Sequence, residues 1–273
     1  MSRISRWLRR RPIAPPLPVP PAKPFEHLLY LPRFEVRTVE LLGEPMHIAD
    51  GVSFFTSFQE IMVDEIYRFS SNGAAPRILD CGANCGLSIV YFKQLFPAAR
   101  ITGVEADPYI FALLAQNIHQ RRLADVTLLN RALAPEPGTV SFHREGADAG
   151  RIHPLSDAIE TVTVPTVTLD ELLTEPVELL KVDVEGVESD VLCGSCRLDL
   201  VSQIMVEYHS FTDKDQSLHP LLAKLAENGF RYQMQTQFCP QRPLVEDDCH
   251  LGMDLQLNIF AKRAACGAAV RAA

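Results

Sequence analysis

Ile78-Leu79-Asp80-Cys81-Gly82-Ala83-Asn84-Cys85-Gly86 is the stretch whose reading decides the fold. Two apolar residues run into an acid, then into small residues, and an amphipathic segment, Leu87 to Phe96, follows at once. This pattern reads as a buried parallel strand, a tight turn and a helix. Gly82 and Gly86 let backbone approach a ligand without a Cβ in the way. The helix start is expected to offer free N–H groups to a polar or anionic group lodged there.

Working outward, Arg100 to Ala106 reads RITGVEA and carries Glu105 at its end. An acid about twenty residues beyond the glycine turn, at the tip of the second strand, is where nucleoside-binding α/β folds hydrogen-bond a ribose diol. The glycine pattern then separates two ligands. Dinucleotide binding wants G-x-G-x-x-G, whereas this turn is D-x-G-x-N-x-G, with Asn84 at the second glycine position. Asp80 is a poor neighbour for a pyrophosphate and a good one for a sulfonium, so the pattern suits S-adenosylmethionine better than NAD.

The chain has 273 residues, 47% hydrophobic and 22% charged, enough for one large α/β domain with some decoration. Its net charge is −8, and residues 1–24 hold six basic residues and no acid, so the body is more acidic still. An acidic body argues against nucleic acid as the main partner. No apolar run approaches the roughly 18 residues of a transmembrane segment. The arginine-rich start lacks an apolar h-region, so a cytoplasmic location is expected. Seven cysteines, an odd number, suggest reduced thiols, and Cys193-Gly194-Ser195-Cys196 reads as a small-residue helix end rather than a metal or redox pair.

Four regions are expected. Residues 1–24 form a basic, proline-rich disordered tail, whose arginines suit weak contact with an anionic membrane surface. Residues 25–72 hold a hairpin from Phe34 to Ile48 and a helix from Ser53 to Phe69 with Ser53 as cap, lying as a lid across the first strand. Residues 73–262 are the main domain, and 263–273 a frayed tail. Within the main domain, a helix follows Asp107-Pro108, a third strand ends at Asn130 and Arg131 in reach of an adenine edge, and short strands cover 139–142 and 161–167. The segment 144–157 between them, with His143 and His153 near its ends, is expected to be a mobile substrate loop. Further on, Lys181, Asp183 and Glu185 are expected on one face at period two, at the C-terminal end of a buried strand, where open α/β sheets bind ligands. A helix from Val187 to Leu200 and a strand tipped by Glu207 and His209 follow.

With these pieces assembled, the chain resembles the FkbM family of S-adenosylmethionine-dependent methyltransferases. The matching segments are ILDCGANCG, GVEADP, TVTLDELL, LLKVDVEGVESDVL and MVEYHS, in order over roughly residues 50–262. The resemblance implies a class I methyltransferase fold: a Rossmann-like, mostly parallel seven-stranded sheet with the last strand antiparallel and helices on both faces. It implies O-methylation of a hydroxyl on a small-molecule or glycan acceptor, and cofactor contacts at Asp80, Gly82, Asn84, Gly86 and Glu105. Ala106 beside Glu105, with Asn130 and Arg131, completes the expected cofactor set. Cys81 and Cys85 depart from the aliphatic residues usual in the loop. Asp183 is the expected base, with Glu185, Glu207 and His209 close enough to orient the acceptor or tune that base. No metal is assigned, although the same carboxylates with His209 are a possible divalent-ion set. An NAD-linked oxidoreductase and a catalytically silent binding domain are the alternatives. The acceptor's identity and the oligomeric state are not legible.

Overall fold

The structure, a computed structural model, describes residues 24–144, 146, 150 and 160–263. The tail expected before residue 24, most of the loop at 144–157 with His153, and the segment after Arg263 lie outside the described residues.

A hairpin comes first, β1 (Arg37–Leu41) and β2 (Glu44–Ile48), then helix α1 (Gly51–Phe58), which continues as a π-helical turn, Gln59–Val63. The main sheet is built from β3 (Arg77–Cys81), β4 (Arg100–Glu105), β5 (Val126–Asn130), β9 (Val177–Val182), β10 (Val201–Phe211), β11 (Phe230–Phe238) and β12 (Met253–Arg263). Its order is β5-β4-β3-β9-β10-β12-β11. The strands from β5 to β10 are parallel neighbours, and β12 runs antiparallel between β10 and β11. This is the expected class I topology. The chain leaves β3 toward β4 and β5 and returns to β9 on the other side, so a crevice opens at the carboxyl ends of β3 and β9.

The strands are apolar at consecutive positions because both faces are covered. Ile78, Leu179 and Met205 face one cluster, with α1, α2 (Leu87–Leu95) and α3 (Pro108–Gln120). Leu79, Leu180 and Val206 face the other, with α4 (Leu169–Leu172), α5 (Glu188–Gly194) and α6 (Leu218–Glu227). The hairpin and α1 belong to the first cluster through Val39, Met46, Phe54 and Phe58. Asn117, fully buried, fastens the hairpin: its amide accepts from the His47 N–H at 2.7 Å and donates to the carbonyls of His47 and Cys85 at 2.8 Å. The short strands stand outside the main sheet: β8 (Glu160–Val167) pairs antiparallel with β7 (Thr139–Arg144) and parallel with β6 (Ala132–Leu133).

Four elements differ from the sequence reading. The helix expected from Ser53 starts two residues earlier and is capped by Asp50, whose carboxylate accepts the Ser53 N–H at 2.9 Å. It ends at Val63, and Glu65 turns the chain with φ 53°, so Ile66 and Phe69 reach the core from a loop. The helix expected to run to Leu200 stops at Gly194, where Asp170 draws Ser195 Oγ to 2.6 Å and the Cys196 N–H to 3.1 Å. Arg144, expected to open a loop, ends β7 and pairs with Asp107 at 2.9 Å and Glu160 at 2.6 Å. Arg263, expected to fray, closes β12, and its guanidinium donates to the Val201 carbonyl at 2.7 Å and to those of Asn228 and Leu198.

Candidate active site

At the crevice the glycine turn is held from three sides. The N–H groups of Gly82 and Ala83 both donate to the Val104 carbonyl at 2.9 Å, and that of Gly86 donates to Ala83. The Asn84 N–H donates to Glu105 Oε2 at 2.9 Å, and the Cys85 N–H to the Asn84 side chain at 2.6 Å. All five amides of the turn are therefore committed within the protein. The two glycines have different duties. A Cβ on Gly82 (φ 85°) would collide with the Asp183 carbonyl, so Gly82 lets the two loop ends meet. One on Gly86 (φ 92°) would sit 2.7 Å from Leu114 Cδ1, so Gly86 lets α2 pack on α3.

A cavity of about 600 Å³ runs from this turn across the carboxyl ends of the strands. Gly82, Asn84, Glu105, Ala106 and Arg131 line one end, and Asp183, Glu185, Glu207 and His209 the other. Of the expected cofactor set, Asp80, Gly86 and Asn130 are not among the lining residues. Asp80 is fully buried below the turn, accepting from Ser88 Oγ at 2.5 Å with Lys181 Nζ at 3.4 Å. Asn130 spends its amide on the carbonyls of Glu105 and Ala106, at 2.9 and 3.1 Å, and so shapes the β4 end.

Glu105 is buried and accepts the Asn84 and Asp107 N–H groups, each at 2.9 Å. Burial, opposed by these two bonds, pushes its carboxyl up to about 7. Lys181 lies between the turns. Its ammonium donates to the Gly82 carbonyl at 2.5 Å, pairs with Asp183 at 3.2 Å and sits 5.6 Å from the centre of the Tyr67 ring. Burial alone would lower its pKa, but Asp183, Tyr67 and Asp80 outweigh that and hold it well above the ordinary value.

The expected period-two face of Lys181, Asp183 and Glu185 is corrected: β9 ends at Val182, and Glu185 (φ 58°) and Gly186 (φ 99°) bend the chain back. The bend brings Glu185 to 3.7 Å from His209 Nε2, with Glu207 at 3.9 Å. On the other side of the ring, Nδ1–H donates to Glu188 at 2.9 Å, and both side chains are 1% exposed. Glu188 also accepts the Gly186 N–H at 2.8 Å. Burial would lower the His209 pKa, but Glu185 and Glu188, with Glu207, raise it well above the ordinary value. Glu207 accepts from Gln256 at 2.6 Å, and burial, then the Asp183 charge, push it up to about 8. Sequence reasoning missed Glu188. Its one local signal is an acid in the first turn of a helix, a commonplace preference.

Residues 80–232, more than half of the chain, match the model of the methyltransferase FkbM domain. Methyltransferase sdnD of Sordaria araneosa is 28% identical over 214 residues, covering 63% of this chain and 80% of that protein. The 2-O-methyltransferase NoeI of Sinorhizobium fredii is 27% identical over 161 residues, covering 51% and 65%. The 31-O-demethyl-FK506 methyltransferase FkbM of Streptomyces tacrolimicus is 25% identical over 223 residues, covering 67% and 84%.

Proposed function

Because the chain belongs to the FkbM family and is a methyltransferase, we propose that it transfers a methyl group from S-adenosylmethionine to a hydroxyl of a sugar, glycan or secondary metabolite. The observation that carries the choice of cofactor is the state of the glycine turn. The turn itself offers a phosphate no unspent amide, because the five from Gly82 to Gly86 are committed within the protein. A nucleoside without phosphates needs only an acceptor for its ribose diol, and Glu105 presents one at the cavity wall. The acidic far end suits a cationic sulfonium. The names of two relatives, a 2-O-methyltransferase and a 31-O-demethyl-FK506 methyltransferase, support oxygen as the accepting atom.

Asn84, Glu105, Ala106 and Arg131 would hold the nucleoside end, with Gly82 giving the close approach. Bound there, the cofactor supplies an electrophilic methyl group. The protein's part is to present the acceptor oxygen in line and to take its proton. In-line positioning supplies much of such an acceleration, with effective molarities of roughly 10⁵–10⁸ M in the best cases. Asp183 is the proton acceptor in this reading: it lines the cavity, and Lys181 holds its carboxylate in place. His209, fixed by Glu188, and Glu185 orient the acceptor hydroxyl.

Calorimetry with S-adenosylhomocysteine and with NAD tests the cofactor, and a radiolabelled methyl-transfer screen over glycans and hydroxylated extracts tests the acceptor. Binding of adenosylhomocysteine and label in an alkali-stable ether are expected. Tight NAD binding without adenosylhomocysteine affinity overturns the reading.

A further inference from the structure

We infer that Asp183, Glu185 and His209 form a binding site for one divalent cation of the manganese or magnesium kind. One ligand atom from each of the three lies within 4.8 Å of the other two, and among the described residues this is the one group of three His, Cys, Asp or Glu side chains so arranged. Donors bound to one ion at about 2.1 Å stand roughly 3 to 4.2 Å apart. At up to 4.8 Å the three donors lie close to that spacing.

The second observation is the setting of His209. Its side chain is 1% exposed, yet on the cavity side Nε2 has carboxylates only at 3.7 and 3.9 Å and the Gln256 amide at 3.4 Å. These contacts are too long for good hydrogen bonds. The opposite nitrogen is held by Glu188 at 2.9 Å, inside the protein. A carboxylate behind an imidazole, leaving the far nitrogen to face a cavity with two other oxygen donors, is the arrangement that orients a metal-ligating histidine.

Charge points the same way. Asp183, Glu185, Glu188 and Glu207 surround the ring. The Lys181 ammonium that pairs with Asp183 is shared with Asp80 and the Gly82 carbonyl. Packing so many carboxylates together is costly unless a cation is shared among them. Two carboxylates and one imidazole leave open positions suited to oxygen ligands, so an acceptor hydroxyl could complete the sphere. That catalytic use rests on the proposed O-methyl transfer; the ion site itself does not.

The test is a manganese titration of the full chain, with the free ion read by its paramagnetic resonance and adenosylhomocysteine affinity measured on the same samples. One saturable ion per chain is expected, displaced by excess magnesium, lost in His209→Ala and weakened about 10- to 100-fold in Glu188→Gln. If His209→Ala fails to fold, Asp183→Asn must abolish or weaken the site instead. No saturable ion, or an ion indifferent to these changes, overturns the inference. Adenosylhomocysteine binding without the ion sinks the ion site alone, whereas ion binding without adenosylhomocysteine affinity sinks the proposed function and leaves the site standing.

Discussion

Lys181 and Gly82 are joined by a 2.5 Å hydrogen bond from the ammonium to the carbonyl, ninety-nine residues apart in the chain. The same ammonium faces Asp80 at 3.4 Å and Asp183 at 3.2 Å. One buried cation thus ties the glycine turn to the turn that carries Asp183 and Glu185.

Lys181→Met leaves Asp80 buried without its cation. Breaking one side of a buried pair costs about 3–5 kcal/mol, so urea unfolding should show a loss of that size. Adding Asp80→Asn should recover part of it, because a neutral amide no longer needs the ammonium. A double variant no more stable than Lys181→Met alone would show that the pair is not what the lysine stabilises.

The two glycines should respond differently to alanine. At Gly82 the new methyl meets backbone, which cannot give way. Gly82→Ala should displace the Asp183 turn and abolish cofactor binding. At Gly86 it meets the end of the Leu114 side chain, which can rotate, leaving mainly the strain of a positive φ. Gly86→Ala should cost about 1–3 kcal/mol and still bind adenosylhomocysteine. Thermal melts and calorimetry separate the two cases, and equal effects would contradict the assigned duties.

Glu105 should make cofactor affinity depend on pH. Burial pushes its carboxyl up to about 7, against an ordinary value of 4.5. The folded protein therefore holds more protons than the unfolded chain between those values. By linkage, its contribution makes stability fall as pH rises through that window. A ribose diol donates to the ionised form, so affinity should instead rise with pH, by up to roughly tenfold per unit below about 7. Glu105→Gln should flatten both dependences and bind more weakly at about pH 8, where the parent carboxylate is ionised. A parent affinity constant from pH 6 to 8 would count against Glu105 as the diol's partner.

Asp183→Asn should keep adenosylhomocysteine affinity and lower turnover by about 10²–10⁴, the usual contribution of a positioned base. His209→Ala should cost less. The assay needs the true acceptor at saturation and excess manganese, so that ion occupancy does not limit the rate. Turnover within a few-fold of the parent would remove Asp183 from the proton-acceptor role.

The sequence by itself determined the parts whose signals are local or periodic. The strand-turn-helix at 78–96, the acid ending β4 and the buried apolar strands could be read because neighbouring residues decide them. It also brought Asp183, Glu185, Glu207 and His209 to one region, since strand ends at a switch point must converge. Tertiary structure alone decided which polar groups remain for a ligand. Asp80 and Asn130 look like ligands in the sequence, but Ser88, Lys181 and two backbone carbonyls occupy them. Three of the turn's amides go to the Val104 carbonyl and to Glu105, on a neighbouring strand. Glu188 looks like a helix-start acid until β10 lays His209 against it. Each of these is a hydrogen bond between segments brought together by folding. A polar group's availability depends on what fills the space around it, and no local pattern encodes that.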